Sequence, residues 1–390
     1  MGKNSVNLII KSIKEVIGKG KHQLHEPSFS VREMHYVSKT IKTNFVSSAG
    51  TFVTSFEEKF KKYVKSKNAI AVVNGTQALY IALEACGIKR DDEVLVPSLT
   101  FVGTVNAIKY LGARPHFIDS KIDTFGIDCS KLEKYLKKIT VLKNGKCINK
   151  KTKKIIKAIV PVHVYGHPCD IIEVINISKK FKLKVIEDAA EALGSFYKNK
   201  HVGTFGDVGC FSFNGNKIIT TGGGGMVVLN NNSLAKKIKH LTTTAKLKHK
   251  WEYVHDKVGY NFRMPNINAA LGLAQLERIN IFLSAKRKLF NKYYLKLKKI
   301  KSVSLMKEPK YSKSNYWLQT IILDKSKASL KNKLLSNLHK EKIFSRPVWK
   351  LISELKPYKN CQKMNLSGSK EIYKRAINIP SSSDLVLKKK

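Results

Sequence analysis

No Cys-x-x-Cys pair occurs in this chain. Its six cysteines, Cys86, Cys129, Cys147, Cys169, Cys210 and Cys361, are scattered, which argues against a disulfide framework or a zinc site and for a reducing compartment. Long apolar runs are missing as well. No stretch of 18 apolar residues exists, so no membrane-spanning helix is expected. Near the N-terminus Leu8-Ile9-Ile10 is hemmed in by Lys3, Lys11, Lys14, Lys19 and Lys21, and no uninterrupted apolar segment of the signal-peptide kind follows. These absences lead us to expect a cytoplasmic protein. No internal repeat is visible.

Acidic residues are scarce: 28 Asp and Glu stand against 73 Lys and Arg, a formal charge of +45. A chain this basic invites a nucleic-acid reading. The excess, however, is unevenly placed. Residues 71–120 hold four basic and five acidic residues and residues 181–230 hold five and four, whereas residues 281–390 hold 28 and six. The surplus is mostly lysine and lies outside the motif-rich segments, with no compact arginine and aromatic stripe. We read it as solvated surface, with some capacity to steer an anionic nucleotide substrate. Nucleic acid is not the expected partner, and a non-enzymatic polyanion-binding protein remains an alternative reading.

At 390 residues the chain can build one large body and a smaller one. Apolar strands such as Asn68–Val73, Glu93–Val96, Arg114–Ile118, Ile155–Val164 and Leu183–Glu187 alternate with helical patterns at Ala78–Cys86, Val102–Leu111 and Ile171–Phe181. That alternation predicts an α/β fold, a mostly parallel sheet with helices on both faces. Residues 1–66 read as a helical segment packing on the large body, interrupted near His25-Glu26-Pro27 and Ser47–Gly50. Residues 67–280 read as the large domain and 281–390 as a small C-terminal α/β domain. Lys131–Lys157, with eleven lysines and one glutamate around Asn144-Gly145, reads as a hairpin or surface insertion.

The informative stretch is Val185–Leu229. Asp188 ends an apolar strand, before Ala189-Ala190, which the pattern reads as opening a helix. Lys217 sits in a loop before the glycine run Gly222–Gly225. In an open α/β sheet, strand ends of this kind face the ligand crevice. An acid for a cofactor ring nitrogen and an amine on a glycine-rich loop are what pyridoxal phosphate (PLP) chemistry requires. Asp188 reads equally well as a helix N-cap, and an isolated loop lysine is ordinarily a solvated charge. Asn74-Gly75-Thr76-Gln77, turning from strand to helix, offers a phosphate its free N–H groups and the positive end of the helix dipole. Phe101 is either a loop anchor or a residue that stacks on a flat ring, and the Ser212 hydroxyl could bind a phosphate oxygen. His163 and His167 have no acid or Cys to complete a ligand set, so no metal is expected.

Six segments now stand in order: NGTQAL (74–79), PSLTFVGTVNAI (97–108), PVHVYGHPCD (161–170), EDAAEALGS (187–195), FSFNGNKIITTGGGGM (211–226) and GYNFRMPNINAALGLAQLE (259–277). Together they resemble the DegT-type nucleotide-sugar aminotransferases, over roughly residues 24–360. HEPSF (25–29), HKWEYVHDKVGYNFRMPN (249–266) and NGNKIITTGGGG (214–225) look most like the LegC-like branch, which aminates UDP-linked 4-keto-6-deoxy N-acetylhexosamines. The resemblance implies PLP fold-type I, an αβα sandwich related to aspartate aminotransferase, with PLP as cofactor, L-glutamate as amino donor and a homodimer with shared sites.

It also implies roles. Lys217 would be the Schiff-base lysine, Asp188 the partner of the ring nitrogen, and Glu191 a neighbour of the ring hydroxyl. Phe101 would stack on the ring, while Gly75, Thr76 and Ser212 would hold the phosphate, helped by Asn261 of a partner subunit. Arg263, and Arg346 and Trp349 in SRPVWK (345–350), would contact substrate or the interface. A lysine at position 217, rather than the histidine of the family's dehydratases, implies transamination. Alternative substrates are GDP- or dTDP-linked keto sugars, as in perosamine-type synthesis.

Overall fold

The computed structural model describes residues 2–387. Three helices lead the chain: α1 (Gly2–Ile17), α2 (Val31–Lys42) and α3 (Thr51–Val64). α2 starts at a capping box, with the Ser30 N–H donating to Glu33 Oε2 at 2.8 Å while the Ser30 side chain caps the first turn. The strand and helix alternation follows as β1 (Asn68–Val72), α4 (Gly75–Ala85), β2 (Glu93–Pro97), α5 (Val102–Tyr110), β3 (Arg114–Ile118) and α6 (Cys129–Ile139). The lysine-rich insertion is a hairpin, β4 (Thr140–Lys143) and β5 (Lys146–Asn149), turning at Asn144 (φ 50°) and Gly145 (φ 70°). Two positive φ values suit a two-residue hairpin loop, and Asn-Gly adopts them readily. Next come β6 (Ile155–Ile159), α7 (Ile171–Lys180), β7 (Lys184–Asp188), the short β8 (Phe196–Tyr197) and β9 (Lys200–His201), then β10 (Val208–Ser212) and β11 (Gly225–Leu229).

In the large sheet the strands lie in the order β1-β11-β10-β7-β6-β2-β3, with the hairpin joined through β5 to β6. β3, β2, β6, β7 and β10 pair in parallel, while β11 runs antiparallel between β10 and β1. The large sheet is therefore mixed: its β3-β2-β6-β7-β10 centre is parallel, as the unbroken apolar strands predict, and the β11-β1 edge and the β4-β5 hairpin are joined antiparallel. Phe56 and Phe60 of α3 meet Phe211 and Phe213 edge-on at ring separations of 5.1–5.5 Å. Each such pair adds about 0.5–1.5 kcal/mol beyond its buried area, and the set anchors the chain on entry to the Lys217 loop.

After α8 (Asn232–Thr242), α9 (Asn266–Glu277) and α10 (Ile279–Leu297) come β12 (Val303–Leu305), β13 (Ser312–Lys313), β14 (Gln319–Leu323), α11 (Lys331–Lys340), β15 (Arg346–Pro347), α12 (Ser367–Arg375) and β16 (Ala376–Ile379). An antiparallel sheet β12-β14-β16-β15 forms a second layer, and β13 joins β8 and β9 in a third, small sheet.

Two apolar cores result. Val6, Ile9, Ile10, Ile13 and Ile17 of α1 pack with Leu289, Tyr293, Ile321, Leu334 and Leu338 in the second core. The N-terminal segment thus does not pack as one piece on the large sheet: α1 belongs with α10 and α11, and α2 and α3 with α9. An apolar helix stripe declares that a face is buried, and leaves open against what. Nor is 281–390 a separate unit, because Val348, Leu351, Tyr358, Met364 and Ile372 return to the first core. α10 itself runs from the first core (Ile279, Phe282) into the second (Leu289, Tyr293).

Candidate active site

The carboxyl ends of β1, β2, β7 and β10 open on one cavity of about 340 Å3, lined among others by Gly75, Thr76, Phe101, Asp188, Ser212 and Lys217. Eight expected site residues meet there, since Glu191 and Trp349 line it too.

At the end of β1, Asn74 caps α4. Its side chain accepts the Gln77 N–H at 2.9 Å and its carbonyl accepts the Ala78 N–H. The N–H groups of Gly75 and Thr76 are left as the donors of the first turn. A Cβ on Gly75 would stand 2.8 Å from the Ser212 Cβ, and one on Gly225 would stand 2.5 Å from the Asn74 carbonyl oxygen. Glycine at both positions lets α4 start directly against the ends of β10 and β11.

Asp188 is almost fully buried. Its Oδ2 accepts the Thr104 hydroxyl at 2.7 Å and its Oδ1 accepts the Ala190 N–H at 3.1 Å. Burial raises its pKa above the usual carboxylate value, against the pull of these donors and of Lys217. No helix follows it. Residues 189–195 form turns, in which Asn315 Nδ2 donates to the carbonyls of Glu191 (2.8 Å) and Leu193 (2.9 Å). A helix there would need those carbonyls for its own ladder, so a side chain from the distant loop between β13 and β14 overrides the alanine-rich propensity. The turns present Glu191, whose Oε2 accepts the Tyr165 N–H at 2.8 Å. Burial raises the pKa of Glu191 as well.

Lys217 follows Phe213 in a loop pinned by buried Ile218 and Ile219 and by the Lys217 N–H bonded to Asn214 O at 2.9 Å. Its ammonium lies 3.2 Å from Glu191 Oε1 and 3.9 Å from the centre of the Trp317 ring. Phe101 is half exposed at the cavity, 6.5 Å in ring separation from Trp349.

Two expected contacts lie elsewhere. Arg263 is buried, with Nη1 donating to the Ala71 carbonyl and Nη2 to Glu57 Oε1, both at 2.7 Å. It joins α3 to β1 and does not line the cavity, so of its two expected places, substrate or interface, the one at the substrate is not met in this chain. Asn261 is exposed on the arm 243–262 and paired in an isolated bridge with Thr243, outside this chain's cavity. Arg346 lines an adjoining cavity. Sequence reasoning missed Thr104, Asn216 and Trp317, all of which line the site. Thr104 carried a faint signal, four residues after Thr100 on a helix leaving a strand end. Trp317 carried none, because NYWLQT reads as an ordinary buried strand.

A buried acid and an amine sharing a cavity at the strand ends of this sheet define a PLP-dependent aminotransferase. The sequence profile of the DegT/DnrJ/EryC1/StrS aminotransferase family matches residues 27–389, and the chain belongs to that family. It is 40% identical to a GDP-perosamine synthase of Escherichia coli O157:H7, over 93% of both chains. It is 33% identical to the UDP-4-amino-4,6-dideoxy-N-acetyl-beta-L-altrosamine transaminase of Campylobacter jejuni, over 90% of both. Among solved structures, Helicobacter pylori PseC, an aminotransferase involved in the biosynthesis of pseudoaminic acid, superposes with a TM-score of 0.85 at 26% identity, over 94% of this chain and 95% of that one. The protein is thus a PLP-dependent aminotransferase of nucleotide sugars, and the polyanion-binding alternative gives way. Among the described residues no helix is long and apolar enough to cross a membrane, and no group of His, Cys, Asp and Glu could hold a metal ion.

Proposed function

We propose that the protein moves the amino group of L-glutamate to the C4 ketone of a nucleotide-linked 4-keto-6-deoxy sugar, giving 2-oxoglutarate and the 4-amino sugar. The observation that carries this reading is that Lys217 and Asp188 line one cavity with the free N–H donors of α4. The residues present fit PLP. Gly75, Thr76 and Ser212 would hold its phosphate, and Asp188, whose carboxylate is costly to ionise while buried, gains a cationic partner in a protonated ring nitrogen. Phe101 would stack on the ring, with Glu191 beside the ring hydroxyl.

When bound, the cofactor supplies an electrophilic carbonyl and a ring that accepts an electron pair. Lys217 Nζ would take the proton from glutamate Cα in the first half-reaction and deliver one to sugar C4 in the second. Asp188 would keep the ring nitrogen protonated throughout. Two copies of the chain would share their sites, each arm 243–262 lending Asn261 to its partner. The exposed Trp251, Tyr253 and Val258 on that arm support an interface there.

The forms of the 25–29, 214–225 and 249–266 segments favour a UDP-linked N-acetylhexosamine. The 40% identity to a GDP-perosamine synthase favours a GDP-linked sugar as the second reading. Visible absorbance of the PLP-loaded protein separates them. Glutamate should bleach the cofactor band and the correct keto sugar should restore it. Lys217→Ala should fold yet give no borohydride-fixed cofactor. A fixed adduct in that variant would remove Lys217 from its proposed role.

A further inference from the structure

We propose that Trp317 is a positioning residue for Lys217, its indole face holding the lysine's ammonium against the cavity wall while a proton is in transit. The inference rests on the transaminase reading above.

Trp317 lies almost fully buried at the end of the loop that joins β13 to β14, and it lines the cavity together with Lys217. Three hydrogen bonds fix where its ring stands. The Trp317 N–H donates to Asn315 Oδ1 at 2.8 Å, its carbonyl accepts Lys286 Nζ at 3.0 Å, and its indole N–H donates to the Asn216 carbonyl at 2.6 Å. Asn216 immediately precedes Lys217, so the third bond registers the indole against the very backbone that carries the lysine. Lys217 Nζ then comes to 3.9 Å from the ring centre. Only 12% of the Lys217 side chain is exposed, and an ammonium on an indole face is held most strongly where water is kept away.

In each half-reaction Lys217 would take a proton from one carbon and give a proton to another. It is an amine at both ends of that transfer and an ammonium between them. The electron pair released at the first carbon passes through the cofactor ring to the second. A ring quadrupole attracts the ammonium and has no comparable pull on the neutral amine. Glu191 Oε1 also meets the ammonium, at 3.2 Å, but a carboxylate is a base. Burial raises the pKa of Glu191 and so makes it a better competitor for the proton that Lys217 must deliver. An aromatic face holds the charge and cannot accept the proton.

The test separates the ring face from the indole N–H. Trp317→Phe and Trp317→Leu both lose the bond to Asn216, and only the first keeps an aromatic face. With PLP-loaded protein, Trp317→Leu should slow the glutamate half-reaction about 10-fold, within the range of an ammonium on an indole, and Trp317→Phe should restore most of the loss. Equal losses in the two variants would assign the effect to the hydrogen bond and overturn the proposal.

A second readout needs neither cofactor nor folded Trp317 variants. The chain has three tryptophans, so Trp251→Phe with Trp349→Phe leaves Trp317 as the one indole. In the cofactor-free protein its emission should step as pH rises through the range in which lysines titrate, and Lys217→Met should abolish the step. The other titratable groups facing Lys217 are Glu191, Asp188 and His25. A step that survives in Lys217→Met belongs to one of these, and its survival, or the lack of any step, would overturn the proposal. Neither result touches the transaminase reading, which falls only if wild type accepts no amino donor at all.

Discussion

The Thr104 hydroxyl, on the first turn of α5, donates to Asp188 Oδ2 at 2.7 Å across 84 residues of sequence. The bond fixes which way the carboxylate points and leaves its remaining lone pairs to the cavity. Thr104→Val keeps the shape and removes the donor. A hydrogen bond to a charged group contributes about 1.5–3 kcal/mol, so PLP affinity should fall roughly 10- to 100-fold, as read from quenching of protein fluorescence. Unchanged affinity and turnover would leave Thr104 with only a packing role.

Burial raises the pKa of Asp188, and the sign of its contribution to stability follows. The unfolded chain ionises this carboxyl more readily than the native one. The group therefore costs stability once pH rises above the ordinary carboxylate value, and fully so above its raised native value. Asp188→Asn keeps an acceptor for Thr104 and removes the buried charge. The cofactor-free variant should melt higher than wild type at pH 7, with the difference vanishing below about pH 3.9. Adding PLP should reverse the order, because only the carboxylate gains a charged partner. A variant that melts lower than wild type in the cofactor-free state would sink this account.

Close approach of backbones makes a separate prediction. A Cβ at residue 225 would lie 2.5 Å from the Asn74 carbonyl oxygen, whereas at residue 215 its nearest neighbour is 4.0 Å away. Gly225→Ala must shift the start of α4 relative to β11, at a cost of about 1–3 kcal/mol. It should lose PLP affinity along with melting temperature. Gly215→Ala, in the same loop system, should melt close to wild type. Equal effects from the two would show that loop stiffness, not helix placement, controls the phosphate end.

Much of this was legible from the chain. Strand and helix alternation announced the large sheet, and Asn74-Gly75 and the Lys217 loop announced where a ligand would lie. These signals are local, carried by turn chemistry and periodicity. What sequence reasoning missed depends on residues far apart in the chain. Thr104 meets Asp188, Trp317 meets Lys217, and Arg263 reaches Glu57 across 206 residues. The false helix after Asp188 has the same cause, since Asn315 captures carbonyls that Ala189-Ala190 would otherwise place in a ladder. The stripe on α1 was equally visible, but its partner, the second core, was not.

Shared sites can be tested by complementation. Asn261 lies outside its own chain's cavity, and Asn261→Asp would set a negative charge against a phosphate. Lys217→Ala and Asn261→Asp chains should each be inactive alone. Unfolded together and refolded, they should recover about a quarter of wild-type sites, because a mixed symmetric dimer holds one doubly defective site and one intact site. If Asn261 served its own chain, the mixture would stay inactive.

The last prediction concerns a lysine away from the chemistry. Lys286 of α10 is fully buried, and its Nζ donates to the Trp317 carbonyl at 3.0 Å and to the Ser381 carbonyl. No ion pair with a carboxylate is found for it among the described residues, and burial holds its pKa well below the ordinary lysine value. The unfolded chain therefore binds a proton here that the native one releases. Stability should rise with pH from the lowered native value up to about 10.4, where the unfolded lysine also loses its proton. Lys286→Met removes that proton and with it this part of the slope, while leaving two carbonyls unpaired at about 1–3 kcal/mol each. Urea midpoints measured between pH 7 and pH 9.5 should climb more steeply for wild type than for the variant. Because Lys286 holds the backbone of the residue whose ring covers Lys217, the variant should also bind PLP more weakly. Parallel slopes would mean that Lys286 stays charged in the native protein, and the carbonyl pair alone would then have to hold a buried ammonium.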